Sequence, residues 1–394
     1  QCSSRNPPLS LRAPCRFRAH AGKAPAGGPR SAMADAPAPP AEEPAGGEQL
    51  STAEADTAGR VLAAMEKVLD EWLVTGVHRV AAQHFIKERV AGERGEVDCA
   101  RVRRWLVLRM NGRVWDHGQP LMCRTPENVP GLRARMVWPR EEFSWLAGVE
   151  SNFEAIKEEL LGARGGSSSS GFQPYRDPIV GGNADRAAAD GLGAEGVDSG
   201  AWNVLYLLLN HKRFEENCAR FPATVKTIEE AFPRHYSHAF FSALTPGSHI
   251  VKHHGPSNRM LRVWLPLLGL EGFRLRVGDQ VVEPRAGEAF VWDHSFEHEA
   301  WHEGDQTRVV LIVDVWHPDL SAPEVKFLST LQNCRLRAGR ALAEHYEQQQ
   351  RESGEAHEPQ DATYFEIVEK AKHLLTDDDW WVVRAERDPT TRPT

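Results

Sequence analysis

The sequence predicts an α+β fold in which an antiparallel β sandwich or barrel is flanked by helices. Short stretches rich in β-branched and aromatic residues, each bounded by turn residues, recur between residues 238 and 315. Many short strands at near-even spacing are typical of a sandwich or a barrel. Apolar residues at helical spacing precede and follow this region. Hydrophobic residues make up 41% of the 394, slightly fewer than in a compact globular chain, and low-complexity stretches account for the deficit.

Charge and hydropathy exclude two classes of protein. The formal net charge is -8, so we expect no broad basic surface for nucleic acid. No run approaches the roughly 18 consecutive apolar residues of a membrane-spanning helix, so we expect no membrane span. The six cysteines are dispersed without a CxxC pair, which indicates free thiols in a reducing compartment.

Residues 1–50 are predicted to be a disordered leader outside the fold. Residues 1–32 contain Arg, Lys and Ser but no acid, a composition typical of an organelle transit peptide. The alternative is that translation starts at Met33 and that the preceding residues are upstream sequence. We therefore predict a cytoplasmic protein, or one in an organelle such as a plastid or mitochondrion if residues 1–32 are a real transit peptide.

Residues 51–125 are predicted to form a helical region. Ser51 and Glu54 fit a capping box, and apolar residues from Val61 to Trp72 recur at helical spacing. Two further helices are predicted at Val80–Ala91 and Ala100–Met110. The sequence leaves the role of this region open between an interaction platform and a lid for the next domain.

Residues 128–321 are predicted to form the main α+β domain, followed by a helical extension over residues 322–394. Helices are predicted at Glu141–Leu161 and Thr224–Phe232, and a Gly/Ser/Ala-rich flexible insertion at residues 162–200. The predicted strands are Trp202–Leu209, His238–Leu244, Leu261–Leu267, Phe273–Val277, Gln280–Val282, Ala289–Trp292 and Val309–Val315.

Two histidine clusters lie next to predicted strands. They consist of His249, His253 and His254, and of His294, His298 and His302. In a double-stranded β-helix, strands far apart in sequence lie side by side, so His253 and His298 can converge on one metal. Imidazole ligands with open positions suit a redox-active first-row metal, most simply Fe(II). The carboxylate ligand expected two residues after His253 is absent, because residue 255 is Gly.

A charged residue begins an otherwise apolar strand. Arg308 directly precedes Val309–Val313, and a guanidinium inside a barrel is costly unless it is paired. Arg is suited to bidentate contact with a carboxylate. The alternative is a strand-end Arg that reaches solvent. Together with the histidine clusters, Arg308 predicts a dicarboxylate cosubstrate such as 2-oxoglutarate.

Four spaced motifs occur in one order along the chain. They are HHGPSNRMLR at His253–Arg262, DHSFEHEAW at Asp293–Trp301, Arg308, and VDVWHPDL at Val313–Leu320. This set resembles the aspartyl/asparaginyl β-hydroxylase family over residues 129–321, about half of the chain. The resemblance implies an Fe(II)- and 2-oxoglutarate-dependent dioxygenase on a double-stranded β-helix (jelly-roll, cupin-like) core with flanking helices.

The resemblance also implies a set of site residues. His253 and His298 match the two iron-binding histidines, and Gly255 matches the glycine that the family has where a carboxylate ligand would be. The remaining matches are Arg308, which pairs with the distal 2-oxoglutarate carboxylate, Ser242, which assists it, and Arg262, which contacts a carboxylate of cosubstrate or substrate. Asp293, His294 and Glu297 are candidates for orienting the ligand imidazoles.

The chain departs from the family pattern at three places. Trp264 stands where family members have a histidine that helps to hold 2-oxoglutarate, although its indole N–H can still donate a hydrogen bond. His294 replaces an aspartate, and Leu207–Asn210 replaces a more polar segment on the substrate side.

The resemblance as a whole implies hydroxylation of an Asp/Asn-type side chain of a protein or of a related small acid. The alternative is a non-catalytic metal-binding β-barrel module that has lost 2-oxoglutarate turnover.

Overall fold

The structure of the chain is a computed structural model. The structure describes residues 58–72, 74–92, 98–164, 170–175, 196–335, 348 and 381–383. The predicted leader, the proposed capping box and most of the predicted C-terminal extension lie outside the described residues.

Seven helices with defined ends and twelve strands make up the described part of the chain. The helices are α1 (Ala58–Glu71), α2 (Gly76–Arg89), α3 (Ala100–Met110), α4 (Leu146–Glu150), α5 (Phe153–Gly162), α6 (Glu215–Arg220) and α7 (Pro222–Ala231), and residues 322–335 are also helical. The strands are β1 (Gln173–Pro174), β2 (Val197–Ser199), β3 (Trp202–Leu209), β4 (Lys212–Arg213), β5 (His235–Leu244), β6 (Ser248–His253), β7 (Met260–Leu268), β8 (Phe273–Val277), β9 (Gln280–Val282), β10 (Phe290–Trp292), β11 (His298–His302) and β12 (Arg308–Trp316).

The strands form two antiparallel sheets, and strands that follow one another along the chain often belong to different sheets. The larger sheet has the order β1-β3-β5-β12-β7-β10, with β4 beside β3, and the smaller has the order β2-β6-β11-β8-β9. From β5 onward the chain passes back and forth between the sheets, and the last strand, β12, inserts between β5 and β7. The predicted double-stranded β-helix is confirmed by this connectivity.

Strand β12 is buried on both faces, and its residues alternate between two cores. Val309, Leu311 and Val313 pack in a core shared with the helices, whereas Val310 and Ile312 face the smaller sheet. Because successive side chains of a strand point to opposite faces, Arg308 and Asp314 share the inward face with Val310 and Ile312. The period of two therefore places both charged residues between the sheets.

Helices α4, α5 and α7 cover the outer face of the larger sheet. They contribute Leu146, Val149, Ile156, Leu160 and Ile228 to its core. The single helix predicted over residues 141–161 is instead a 3-10 turn at Arg140–Glu142 followed by α4 and α5. Within the insertion predicted over residues 162–200, the structure describes two strands, β1 and β2, at the edges of the two sheets.

The helices that precede and follow the β domain pack on one another. Apolar residues of α1, α2, α3 and the helix at residues 322–335 form one core with Tyr236, Met260 and Trp316 at the ends of three strands of the larger sheet. A buried contact between distant parts of the chain supports this arrangement, because Glu324 accepts hydrogen bonds from the backbone and the guanidinium of Arg101.

Two expectations from the sequence concern membrane spans and cysteines. No helix among the described residues is long and apolar enough to cross a membrane. Cys99, Cys123, Cys218 and Cys334 are buried and are not joined by disulfides, whereas Cys2 and Cys15 lie outside the described residues.

The central position of β12 gives a prediction on stability. Replacing the buried Leu311 with Ala should lower the free energy of unfolding by about 2–5 kcal/mol, because the change leaves a cavity beneath the helices. The same substitution at Leu161, which is 39% exposed, should cost no more than about 0.5 kcal/mol. Urea unfolding followed by tryptophan fluorescence measures both. Equal losses for the two variants would contradict the central role of β12.

Candidate metal centre and anion pocket

The two predicted metal ligands lie opposite each other on neighbouring strands of the smaller sheet. His253 ends β6 and His298 begins β11, and the two residues are direct partners in the strand pairing. Their ring centroids are 4.0 Å apart. The structure thus brings together two imidazoles that are 45 residues apart in sequence, as the motifs predict.

A β-bulge in strand β6 decides which residue faces His298. Ala300, Trp301 and His302 pair with Ile250, His249 and Ser248 in regular register, and the register shifts by one residue before His298. Without that shift His298 would pair with Lys252. An extra residue in one strand re-aims the side chains beyond it, and here it brings His253 onto the inward face.

Both imidazoles are held by their own backbone. His253 Nδ1 lies 2.9 Å from the carbonyl oxygen of Val251, and His298 Nδ1 lies 2.8 Å from that of Phe296. Because a carbonyl oxygen only accepts hydrogen bonds, each Nδ1 carries the proton and each Nε2 keeps its lone pair for a metal. The candidates Asp293, His294 and Glu297 do not orient these rings.

Burial keeps the facing imidazoles neutral. It lowers the pKa of His253 to about 4 and that of His298 well below its usual value, because the protonated forms would be desolvated. At neutral pH both rings are therefore in the form that binds a metal. Among the described residues, no third His, Cys, Asp or Glu completes a preformed cluster with them.

Arg308 is a fully buried cation at the start of β12. Its Nη1 donates to the carbonyl oxygen and the hydroxyl oxygen of Ser242, at 3.0 and 3.3 Å, and its Nε has no acceptor within the described part of the chain. The guanidinium carbon lies 4.4 Å from the ring centroid of Phe273. Burial lowers the pKa of Arg308 to about 9. The alternative of a strand-end Arg that reaches solvent is therefore wrong.

Ser242 provides a second hydrogen-bond donor beside Arg308. Its hydroxyl oxygen accepts hydrogen bonds from Arg308 and from Trp202 Nε1, the latter at 3.0 Å. With those two donors on the oxygen, the hydroxyl hydrogen is left to donate elsewhere. Arg308 and Ser242 together offer a cation and an O–H donor, which is the chemistry that a carboxylate requires.

Three tryptophans connect the anion pocket to the histidine pair. Trp202 contacts Ser242 and lies 6.2 Å from His253 between ring centroids. Trp292 lies 4.9 Å from His298 and 5.5 Å from Trp264, and the ring of Trp264 lies 5.4 Å from the guanidinium carbon of Arg308. The indole N–H groups of Trp264 and Trp292 have no acceptor among the described residues. A continuous set of aromatic contacts thus joins the histidine pair to Arg308.

Arg262 was predicted to contact a carboxylate of cosubstrate or substrate, whereas in the structure it pairs with a carboxylate of this chain. Its Nε and Nη2 donate to the two carboxylate oxygens of Asp314 at 2.8 and 3.0 Å, and His238 Nδ1 lies 2.9 Å from the same group. Although burial alone raises the pKa of Asp314, Arg262 and His238 hold it well below its usual range. Sequence reasoning missed His238, whose inward position follows from its spacing of two and four residues from Phe240 and Ser242.

Comparison with known proteins identifies the domain that carries this site. Residues 150–318 match the family model described as Aspartyl/Asparaginyl beta-hydroxylase. This region of the chain is similar to that family. The resemblance predicted from the four motifs is thereby confirmed, and the matched residues contain the whole β-helix from β5 to β12.

Curated relatives share the β-hydroxylase-like region, and in each of them the match covers only part of the protein. Human aspartyl/asparaginyl beta-hydroxylase is 28% identical over 223 residues, which cover 55% of this chain and 27% of that protein. Human aspartate beta-hydroxylase domain-containing protein 2 is 35% identical over 133 residues, 32% of this chain and 36% of that protein. Ornithine lipid ester-linked acyl 2-hydroxylase of Rhizobium tropici is 30% identical over 185 residues, 46% of this chain and 60% of that protein. The chain therefore spans less than two thirds of each.

The buried Arg262–Asp314 pair gives a second prediction. Asp314→Leu should lower the free energy of unfolding by about 3–5 kcal/mol, because it leaves the Arg262 guanidinium buried without its partner. The double variant Arg262→Met, Asp314→Leu should lose clearly less, since it removes both charges. Urea unfolding of the two variants measures the difference.

A matched surface pair provides the control. Arg274 and Glu303 form an exposed ion pair, and Glu303→Leu should change the free energy of unfolding by no more than about 1 kcal/mol. If the double variant were as unstable as Asp314→Leu alone, the buried pair would not be the source of the loss.

Proposed function

We propose that the chain is an Fe(II)- and 2-oxoglutarate-dependent hydroxylase. The observation that carries the proposal is that two metal-competent imidazoles and a buried guanidinium without a carboxylate partner among the described residues lie between the same two sheets. His253 and His298 would hold the metal through Nε2, and neutral imidazoles are ligands that Fe(II) accepts. Similarity to the family supports the same assignment.

The metal and the protein have separate tasks in this proposal. Bound iron supplies the activation of dioxygen, which no side chain of the site can perform. The backbone carbonyls of Val251 and Phe296 fix the ring orientation of the two ligands. Trp202, Trp264 and Trp292 line the space between the sheets and keep bulk water from the reacting groups.

Arg308 and Ser242 would bind the distal carboxylate of 2-oxoglutarate. Arg308 donates from a site where burial strengthens each electrostatic contact, and Ser242 adds its free O–H. The unpartnered Nε of Arg308 and the indole N–H groups of Trp264 and Trp292 are further donors without an acceptor among the described residues. Several donors around one space favour an anionic cosubstrate.

The substrate class is an Asp/Asn-type side chain of a protein or a related small acid. The names of the relatives span protein side chains and the acyl chain of a lipid, so the family fold serves different substrates. Leu207–Asn210, predicted to lie on the substrate side, belongs to the segment Trp202–Arg213, which is largely the buried strand β3. Only its last residues are accessible to a substrate.

A non-catalytic metal-binding module is the second candidate, favoured by the position of Trp264. Its indole packs beside Arg308 and against Trp292 in the part of the space that the cosubstrate would enter. If the indole excludes 2-oxoglutarate, the chain would bind metal without turnover.

Anaerobic titration of Fe(II) and 2-oxoglutarate into the full chain, followed by air and a succinate assay, tests the proposal. We expect metal-dependent succinate that is abolished by His298→Ala. His254→Ala is the matched control, because His254 is an exposed neighbour of His253, and this variant should retain the activity. Iron binding without 2-oxoglutarate binding and without succinate would instead establish the binding module.

The anion pocket gives a separate prediction. Arg308→Met should weaken 2-oxoglutarate binding by about 2–5 kcal/mol, because a buried charge-assisted contact is lost, while Fe(II) affinity should hardly change. Ser242→Ala should cost about 1 kcal/mol. Isothermal titration at saturating metal measures both, with Arg274→Met on the outer surface as the control. Unchanged 2-oxoglutarate affinity in Arg308→Met would reject the pocket assignment.

A further inference from the structure

The imidazole of His294 fills the space in which a side chain of residue 255 would lie. A Cβ atom built on Gly255 would lie 1.6 Å from His294 Cδ2 and 2.6 Å from His294 Nε2. The backbone of Gly255 donates a hydrogen bond of 2.6 Å to the carbonyl oxygen of His294, so the two residues are fixed side by side. A carboxylate at position 255 and an imidazole at position 294 exclude each other.

The position of residue 255 matters because it follows His253 by two residues. That is where the common arrangement of two histidines and one carboxylate has its acid. The distance from His294 Nε2 to the constructed Cβ is close to that between the Cβ of an aspartate and its own carboxylate oxygens. His294 thus brings a nitrogen lone pair to the neighbourhood that an acidic ligand would occupy.

His294 is fully buried, yet neither of its ring nitrogens has a partner among the described residues. Burying an imidazole without hydrogen bonds is unfavourable, and an apolar ring would fill the same space without that cost. Burial also lowers the pKa of His294 to about 3, so the ring is neutral at physiological pH. A neutral, unpartnered imidazole against Gly255, two residues from His253, is a group that lacks its ligand.

We propose that His294 is a third imidazole ligand of the metal, in place of the carboxylate that Gly255 cannot supply. The inference rests on the proposed metal centre at His253 and His298. Since the three rings do not form a preformed cluster, metal binding includes a rotation of the His294 ring toward the facing pair. Three neutral ligands leave the full charge of the metal uncompensated, which favours binding of an anionic cosubstrate.

The first test counts the ligands without using activity. X-ray absorption of the Fe(II)-loaded full chain under anaerobic conditions should show three imidazoles for the wild type and two for His294→Ala. The same substitution should weaken Fe(II) binding at least about tenfold in a chelator competition. His254→Ala, the exposed neighbour of His253, should leave both the ligand count and the affinity unchanged.

A second test exchanges the two positions. Gly255→Asp alone should lower the unfolding midpoint, because the new Cβ collides with the His294 ring. Gly255 does not have a positive φ, so the backbone itself tolerates the substitution. In the double variant Gly255→Asp, His294→Ala the removed ring makes room for the carboxylate, and Fe(II) affinity should recover with two imidazoles and additional oxygen ligands.

The outcomes separate this inference from the proposed metal centre. If wild type and His294→Ala both bind Fe(II) through two imidazoles with equal affinity, His294 is not a ligand and the metal centre stands. If the wild type binds Fe(II) no better than His253→Ala, the metal centre itself fails. Should His294→Ala not fold, the ligand count of the wild type still decides, since two imidazoles there would overturn the inference.

Discussion

The burial of charged and hydrogen-bonding groups between two apolar sheets constrains the rest of the structure. One such group is paired within the chain, because the buried carboxylate of Asp314 contacts both Arg262 and His238. Arg308 is paired only in part, through Ser242, and its remaining donor needs an acceptor from outside the described chain. Binding of an anion in the proposed pocket would offset the cost of keeping this cation buried. The rigid, central strand β12 makes this possible, since it carries both Arg308 and Asp314.

The histidine pair depends on a different kind of support. Each ring is fixed by a carbonyl of its own strand or turn rather than by a carboxylate, so the ligand geometry follows from backbone pairing between β6 and β11. The neighbouring positions 293, 294 and 297 are therefore not needed to orient the ligands. This independence explains how an aspartate of the family pattern can be replaced by His294 while the facing pair is kept. It also leaves His294 available for another role.

Sequence reasoning predicted most of the β domain because its strands are bounded by turns and alternate with period two. Strands β3, β8 and β9 have the predicted bounds. Strands β6 and β11 were not predicted, since histidine, lysine and glutamate interrupt the apolar pattern where they line the site. The helix expected over residues 141–161 is broken, although its apolar face is continuous, because a helical period does not reveal where hydrogen bonding stops. The local sequence pattern therefore predicts the strands of the core better than the strands that carry the site.

The bulge in β6 explains why the site could be predicted from sequence motifs but not from the alternation of side chains along a strand. With strict alternation, Ile250 and Lys252 would share the inward face and His253 would point outward. The shifted register reverses this, so that His253 meets His298. No composition rule predicts a one-residue shift, whereas a family motif already includes it. The same argument applies to His294, because its sequence neighbours do not indicate a role and only its contact with Gly255 does.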